Sequence, residues 1–213
     1  MASEIKNIGK SIAIVMAVVF ASCTKYGYID GGTANGIHDC TMWEYFQTDS
    51  YNWDSTIIMI EHAGLKSLFD GTGEHKQITF FGLTSPSIRR YLLENGYDRV
   101  TDIPEGKCKD ILQKLVVPRR LILKNIPFGN RVNRGGAEFT EYDGMTCPAL
   151  RGELFLWTFR QTYEGVQQAG AVVLNLASRN VQGARNEVIA SSDIQTTTGV
   201  VHSLNYDFKF RNF

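Results

Sequence analysis

The hydrophobic spacing changes once along the chain, and that change constrains the fold class more than any other feature. Up to about Val117 apolar residues recur mainly at helical intervals, and from about Leu121 they recur mostly at strand intervals. Thr41-Met42-Trp43-Glu44 has the spacing of a capping box, which predicts a helix starting at Met42 with Trp43 and Phe46 on its buried side. Asp54-Ser55 predicts the cap of a second helix, carrying Ile57, Ile58, Ile60, Leu65 and Leu68 as far as Gly71. Residues 77–83 read as a strand. Ser85-Pro86 then predicts a helix cap with proline at the first helical position, the helix closing at Gly96. A further helix is expected from Lys107 to Leu115, with β structure resuming at Leu121 to Lys124. Residues 153–163 and 171–177 are rich in aromatic and β-branched residues and flank a loop with Gly165 and Gly170, the pattern of a long hairpin. Helices first and strands afterwards indicate an α+β class, not alternating βα units.

Composition narrows the function. Of 213 residues 43% are hydrophobic and 21% charged, which is enough apolar material for a packed core. The 22 basic and 22 acidic side chains cancel, so no net positive field gathers nucleic acid.

The N-terminus reads as an address. Every residue from Ile12 to Ala21 is apolar, behind Lys6 and Lys10. That run is too short to span a bilayer, which takes roughly 20 residues, and it suits the hydrophobic region of a signal peptide. Phe20-Ala21-Ser22-Cys23 resembles the bacterial lipobox, with Phe in place of the more usual Leu. The resemblance implies cleavage after residue 22 and acylation of Cys23, with palmitate-like chains anchoring the protein through two or more tails. The expected organisation is a signal peptide over 1–22, a flexible tether with lipidated Cys23 over 23–39, and one domain over 40–213. Gly27, Gly31, Gly32 and Gly36 give the tether its flexibility. The remaining cysteines, Cys40, Cys108 and Cys147, are odd in number and show no C-x-x-C spacing, so at most one disulfide is expected. The four histidines show no ligand spacing with them, and neither a metal nor a cofactor is expected.

Two motifs carry a resemblance to the fasciclin-like domain family. Thr79-Phe80-Phe81-Gly82-Leu83-Thr84-Ser85-Pro86-Ser87-Ile88 resembles its first signature, a strand followed by a small helix. Residues 193–202, with Asp193, Ile194, Gly199, Val200, Val201 and His202, are similar to its closing hairpin motif. Lys114-Leu115 stands where the family usually has Tyr-His, so the adhesion role attributed to that pair does not carry over. The resemblance covers roughly residues 40 to 210. It implies a twisted β-sandwich or wedge with several short helices packed on it, and here an added long β-hairpin between about Asp143 and Asn186. Asp193 and His202 are expected to brace the final hairpin, with Gly199 at a turn tolerant of positive φ.

No nucleophile elbow, zinc-helix motif, Walker loop or dinucleotide glycine pattern occurs. Glu153, Glu164 and Asp143 are the carboxylates available to a glycan-active enzyme, but a non-enzymatic role is the expectation. Binding rests on Phe155, Trp157 and Phe159, which alternate with Leu154, Leu156 and Thr158 along one strand. An outward aromatic row would form a platform for a sugar ring or a partner protein; the favoured alternative puts the aromatics in the core and the leucines against a helix. Arg119-Arg120 and the loop from Arg131 to Gly136 are basic candidates that usually remain solvated.

The expectation is a lipid-anchored outer-membrane protein, on the cell surface more than the periplasmic face, serving adhesion or protein or glycan recognition. By resemblance to bacterial fasciclin-like proteins it is expected to stand beside a polysaccharide-uptake system; the alternative is a structural subunit binding only a neighbouring membrane protein. Cys23→Ala is expected to move the protein from the membrane to the soluble fraction on cell fractionation, whereas an unchanged membrane fraction rejects the lipid anchor.

Overall fold

The computed structural model describes residues 36–129, 131–133, 140–160, 163–166, 169–179 and 186–210. Its first helix, α1 (Met42–Gln47), starts where the capping box predicts: Thr41 Oγ1 accepts from the Glu44 amide and Glu44 Oε2 accepts from the Thr41 amide. Helix α1 buries Met42, Trp43 and Phe46. The second helix, α2 (Ser50–His62), starts before Asp54, because Asp49 Oδ1 accepts from the Asn52 amide and supplies the cap. It also stops short of Gly71. Gly64, at φ 65°, turns the chain, and a separate single-turn helix α3 (Lys66–Phe69) follows. Ile58 faces solvent, while Trp53, Thr56, Met59 and Ile60 form the buried stripe.

Strand β1 (Ile78–Gly82) is buried along its whole length. It leads into α4 (Ser85–Asn95), capped by Thr84 and not Ser85, and closed by Gly96 at φ 70°. Helix α5 (Glu105–Lys114) runs directly into the short β2 (Val116–Val117). The β structure expected at Leu121 to Lys124 is instead an extended stretch ending in a 3-10 turn, Leu123–Asn125. The remaining strands are β3 (Arg131–Asn133), β4 (Thr140–Tyr142), β5 (Met145–Pro148), β6 (Glu153–Arg160), β7 (Val172–Ser178), β8 (Glu187–Thr196) and β9 (Gly199–Leu204).

Seven strands form one sheet in the order β2-β1-β9-β8-β7-β6-β5, and β3 pairs only with β4. Every pairing in the large sheet is antiparallel except β1 with β9, which run parallel from Ile78 opposite Gly199 to Gly82 opposite Ser203. The two outer strands approach each other. The Leu150 amide, just past β5, donates to the Val116 carbonyl of β2 at 2.8 Å, and the Arg151 amide donates to the Gln113 carbonyl at 3.1 Å. The sheet is therefore nearly closed on itself, and several short helices cover it. This is a mixed α and β architecture.

One apolar cluster fills the interior. The rings of Phe46, Phe69 and Phe80 pack at centroid distances of 5.0 to 6.0 Å, joined by Leu154, Leu156, Leu174 and Leu176 from the far half of the sheet. Each of these side chains contributes about 1.5–3 kcal/mol through burial. Glycine is required at two close approaches. A Cβ on Gly82 would meet the Trp53 ring at 2.8 Å, and one on Gly199, at φ 151°, would lie 2.0 Å from the Ile78 carbonyl oxygen. Gly199→Ala is expected to cost at least about 3 kcal/mol in urea unfolding, because it drives a methyl into the partner backbone at a strained φ. Gly106→Ala, with nothing within 4 Å of the added Cβ, is expected to raise stability by about 0.5 kcal/mol.

Candidate functional site

The closing motif acts on the chain itself. Strand β8 is irregular between Ile189 and Ser191 and between Ser191 and Ile194, and within the second irregularity Asp193 sits at φ 60°. That turn aims its carboxylate away from β9: Asp193 Oδ1 accepts from the Leu123 amide at 2.6 Å, 70 residues earlier in the chain. The Asp193 amide donates to His202 Nδ1 at 3.2 Å, and His202 Nε2 donates to the Leu121 carbonyl at 3.0 Å. A ring nitrogen that accepts from an amide carries no proton, and one facing a carbonyl must carry it, so His202 is neutral with its proton on Nε2. Its ring is fully buried and stacks on Phe81 at 5.5 Å. Ile194 packs against the core, and Gly199 admits the Ile78 backbone. The Asp193 carboxylate thus reaches beyond the final hairpin that it was expected to brace, to the segment entering the 3-10 turn.

The same segment is held from other sides. Thr79 Oγ1 donates to the Arg119 carbonyl at 2.7 Å and accepts from the Leu121 amide at 2.8 Å. Arg120, expected to be a solvated charge, donates to the Thr196 and Gly199 carbonyls and to the side chains of Gln77 and Gln195. The Arg119 guanidinium lies 3.1 Å from the Cys147 sulfur. Cys40, Cys108 and Cys147 are all free thiols, and burial pushes the Cys108 thiol up to about 11, away from reactive thiolate.

Strand β6 separates two surfaces. Leu154 and Leu156 enter the main core with Leu174 and Leu176 of β7. Phe155, Trp157 and Phe159 share the opposite face, beside Ala177, Asn175 and Val173. Where the favoured expectation put the aromatics in the core and the leucines against a helix, it is the leucines that join the main core, and the aromatics lie on the other face with Trp157 buried. Past Met145, where β5 starts, residues 127–129 take over as the neighbour of β6: the Gly129 amide donates to the Thr158 carbonyl and the Thr158 amide to the Pro127 carbonyl. That segment and Asp143 lie over Trp157, which is buried, and a Cβ on Gly129 would meet the indole at 2.6 Å. Phe155 and Phe159 are half-buried. The Arg179 guanidinium stands 4.1 Å from the centroid of the Phe155 ring, and Phe128 and Val188 are exposed nearby. Sequence spacing identifies the aromatic row, but the Arg179 contact has no local signal, since it depends on the register that sets Leu154 opposite Ser178.

The carboxylates considered for catalysis are dispersed. Glu153 opens β6, whereas Glu164 occupies the turn between Tyr163 and Val166, at φ 47° and followed by Gly165 at φ 81°. With about 3.3 Å of rise per strand residue they stand more than about 20 Å apart, too far for a carboxylate pair on one glycosidic bond. Among the described residues no three or more His, Cys, Asp and Glu side chains converge on a metal position, and no helix is long and apolar enough to cross a membrane. Cys23 and the signal-like run lie outside the described residues, as do parts of the Arg131 to Gly136 loop.

Burial holds the His202 pKa below its ordinary value. The unfolded chain therefore binds a proton that the native state refuses, so the stability contributed by neutral His202 is complete above about pH 6.5 and declines as pH falls below it. Urea unfolding between pH 7.5 and 5.5 is expected to show this decline, at up to about 1.4 kcal/mol per pH unit, and His202→Gln is expected to flatten it.

No family model matches the chain, and no curated protein matches it. Among solved structures it is similar to a FAS1 domain pair from the insect cell adhesion molecule fasciclin I, with 14% identity and a TM-score of 0.45. The match covers 78% of this chain and 44% of that one, so the chain spans less than half the neighbour's length.

Proposed function

We propose that the chain is a non-enzymatic, lipid-anchored protein of the cell envelope whose domain recognises a protein or a glycan. The recognition surface is the outer face of β6 and β7. The observation that carries this reading is the half-buried pair Phe155 and Phe159 on the face turned away from the core, with Arg179 stacked on Phe155. Apolar rings held on a rigid strand lose little side-chain entropy when they meet a ligand. A planar cation stacked on one of them adds directional hydrogen-bond donors at the rim. The closing motif is spent on holding the domain together, which leaves this face as the better candidate for contact.

The apolar run from Ile12 to Ala21 followed by Cys23 supports membrane attachment through lipid. Attachment to the outer membrane, facing the cell exterior, would let the domain serve adhesion or assist polysaccharide uptake. Trp157 is a poor probe of binding because its removal opens a hole beneath residues 127–129. The double variant Phe155→Ala, Phe159→Ala is the better one. It is expected to keep its circular dichroism spectrum and to lose at least about tenfold in retention on envelope glycan or on cross-linked outer-membrane protein. Unchanged retention moves recognition to another face, and no retention of the unaltered protein favours a purely structural subunit.

A further inference from the structure

A cleft of about 580 Å³ opens between α4 and α5, with Phe210 on its apolar side. We propose that it binds a single neutral sugar ring, at a place that shares no residue with the outer face of β6 and β7. Helical spacing builds its walls. Tyr91, Glu94 and Asn95 form one stripe of α4, and Lys107, Asp110, Ile111 and Lys114 form the facing stripe of α5.

Charge decides the class of ligand. Asp110 is taken up by Lys114, at 3.1 Å, and by Arg151, so neither its carboxylate nor Lys114 is available to a ligand without breaking an ion pair. Among the described residues no ion pair engages Glu94 or Lys107. Asn95 donates from Nδ2 to the Tyr91 carbonyl at 2.8 Å, which leaves its side-chain oxygen as an acceptor. The groups left for a ligand are thus one carboxylate, the N–H donors of Lys107 that Tyr91 does not use, and one amide oxygen. A net anion gains at Lys107 and loses at Glu94, and a net cation the reverse. Neutral hydroxyls, which both donate and accept, can use all three groups.

The apolar side completes the match. The Phe210 ring packs at 4.5 Å on Tyr91 and at 5.5 Å on Phe208, which holds it in place, and Ile111 flanks the cleft. Lys107 lies 5.4 Å over the Tyr91 ring and interacts with its buried hydroxyl, so Phe210 is the aromatic surface offered. A pyranose presents an apolar C–H face and a rim of hydroxyls, and the volume lies in the usual range of small-molecule sites.

The test is an NMR titration of the full chain in detergent with D-glucose, D-galactose and N-acetyl-D-glucosamine, with benzoate and phenylalanine as charged and zwitterionic probes. Saturable shifts of α4 and α5 amides with a sugar at millimolar concentration are expected. Asn95→Ala and Lys107→Met, both at exposed positions, are each expected to weaken the sugar about fivefold or more. The proposal is overturned if no sugar shifts these amides at about 50 mM, well above the millimolar range of weak sites. It is equally overturned if benzoate or phenylalanine shifts them and the sugars do not, or if the variants titrate like the unaltered chain.

Discussion

The segment from Arg119 to Leu123 is the constraint on which the rest of the structure depends. It carries the chain from the helices into the strands without regular structure of its own, so its backbone groups must find partners elsewhere. Thr79, Asp193 and His202 supply them, and each reaches in from a different strand. Arg120 returns the bond by tying the turn between β8 and β9. A buried amide or carbonyl left unpaired costs roughly 1–3 kcal/mol, so removing one member of this set is felt on both sides of the sheet. The irregularity in β8 follows from the same requirement, because only by leaving the ladder can Asp193 aim at the Leu123 amide.

Separating bracing residues from contacting residues clarifies the functional reading. His202, Asp193 and Gly199 are the most recognisable residues of the sequence, yet their polar groups are consumed internally. The surfaces proposed for recognition are built from less distinctive material: two phenylalanines on a strand, an arginine from beyond β7, and facing polar stripes on two helices. A sequence motif can thus report how a domain is held together while saying little about what it touches.

Legibility followed the range of each interaction. The start of α1 was readable because both halves of its capping box lie within four residues, and the end of α4 because Gly96 is itself the signal. The start of α2 was placed too late because the cap is Asp49 and not Asp54, and the added turn carries Trp53, whose packing on Phe46 is a contact between helices. The run at Leu121 to Lys124 looked like a strand by composition, but its ladder positions are filled by side chains from distant residues. Alternation along β6 placed leucines and aromatics on opposite faces correctly. Which face turned inward depended on β7 and on residues 127–129, and neither pairing is written in the strand itself.

The parallel pairing of β1 with β9 has a consequence for how the chain reaches its native state. The last strand is an interior member of the sheet, lodged between β1 and β8, so without Gly199–Leu204 the ladder between β1 and β8 is missing. Contacts of such long sequence separation form slowly and only once the loops between them can close. The seven-stranded sheet is therefore complete only when Gly199–Leu204 is inserted between its neighbours, so one late-coming strand sets the cooperativity of the whole sheet.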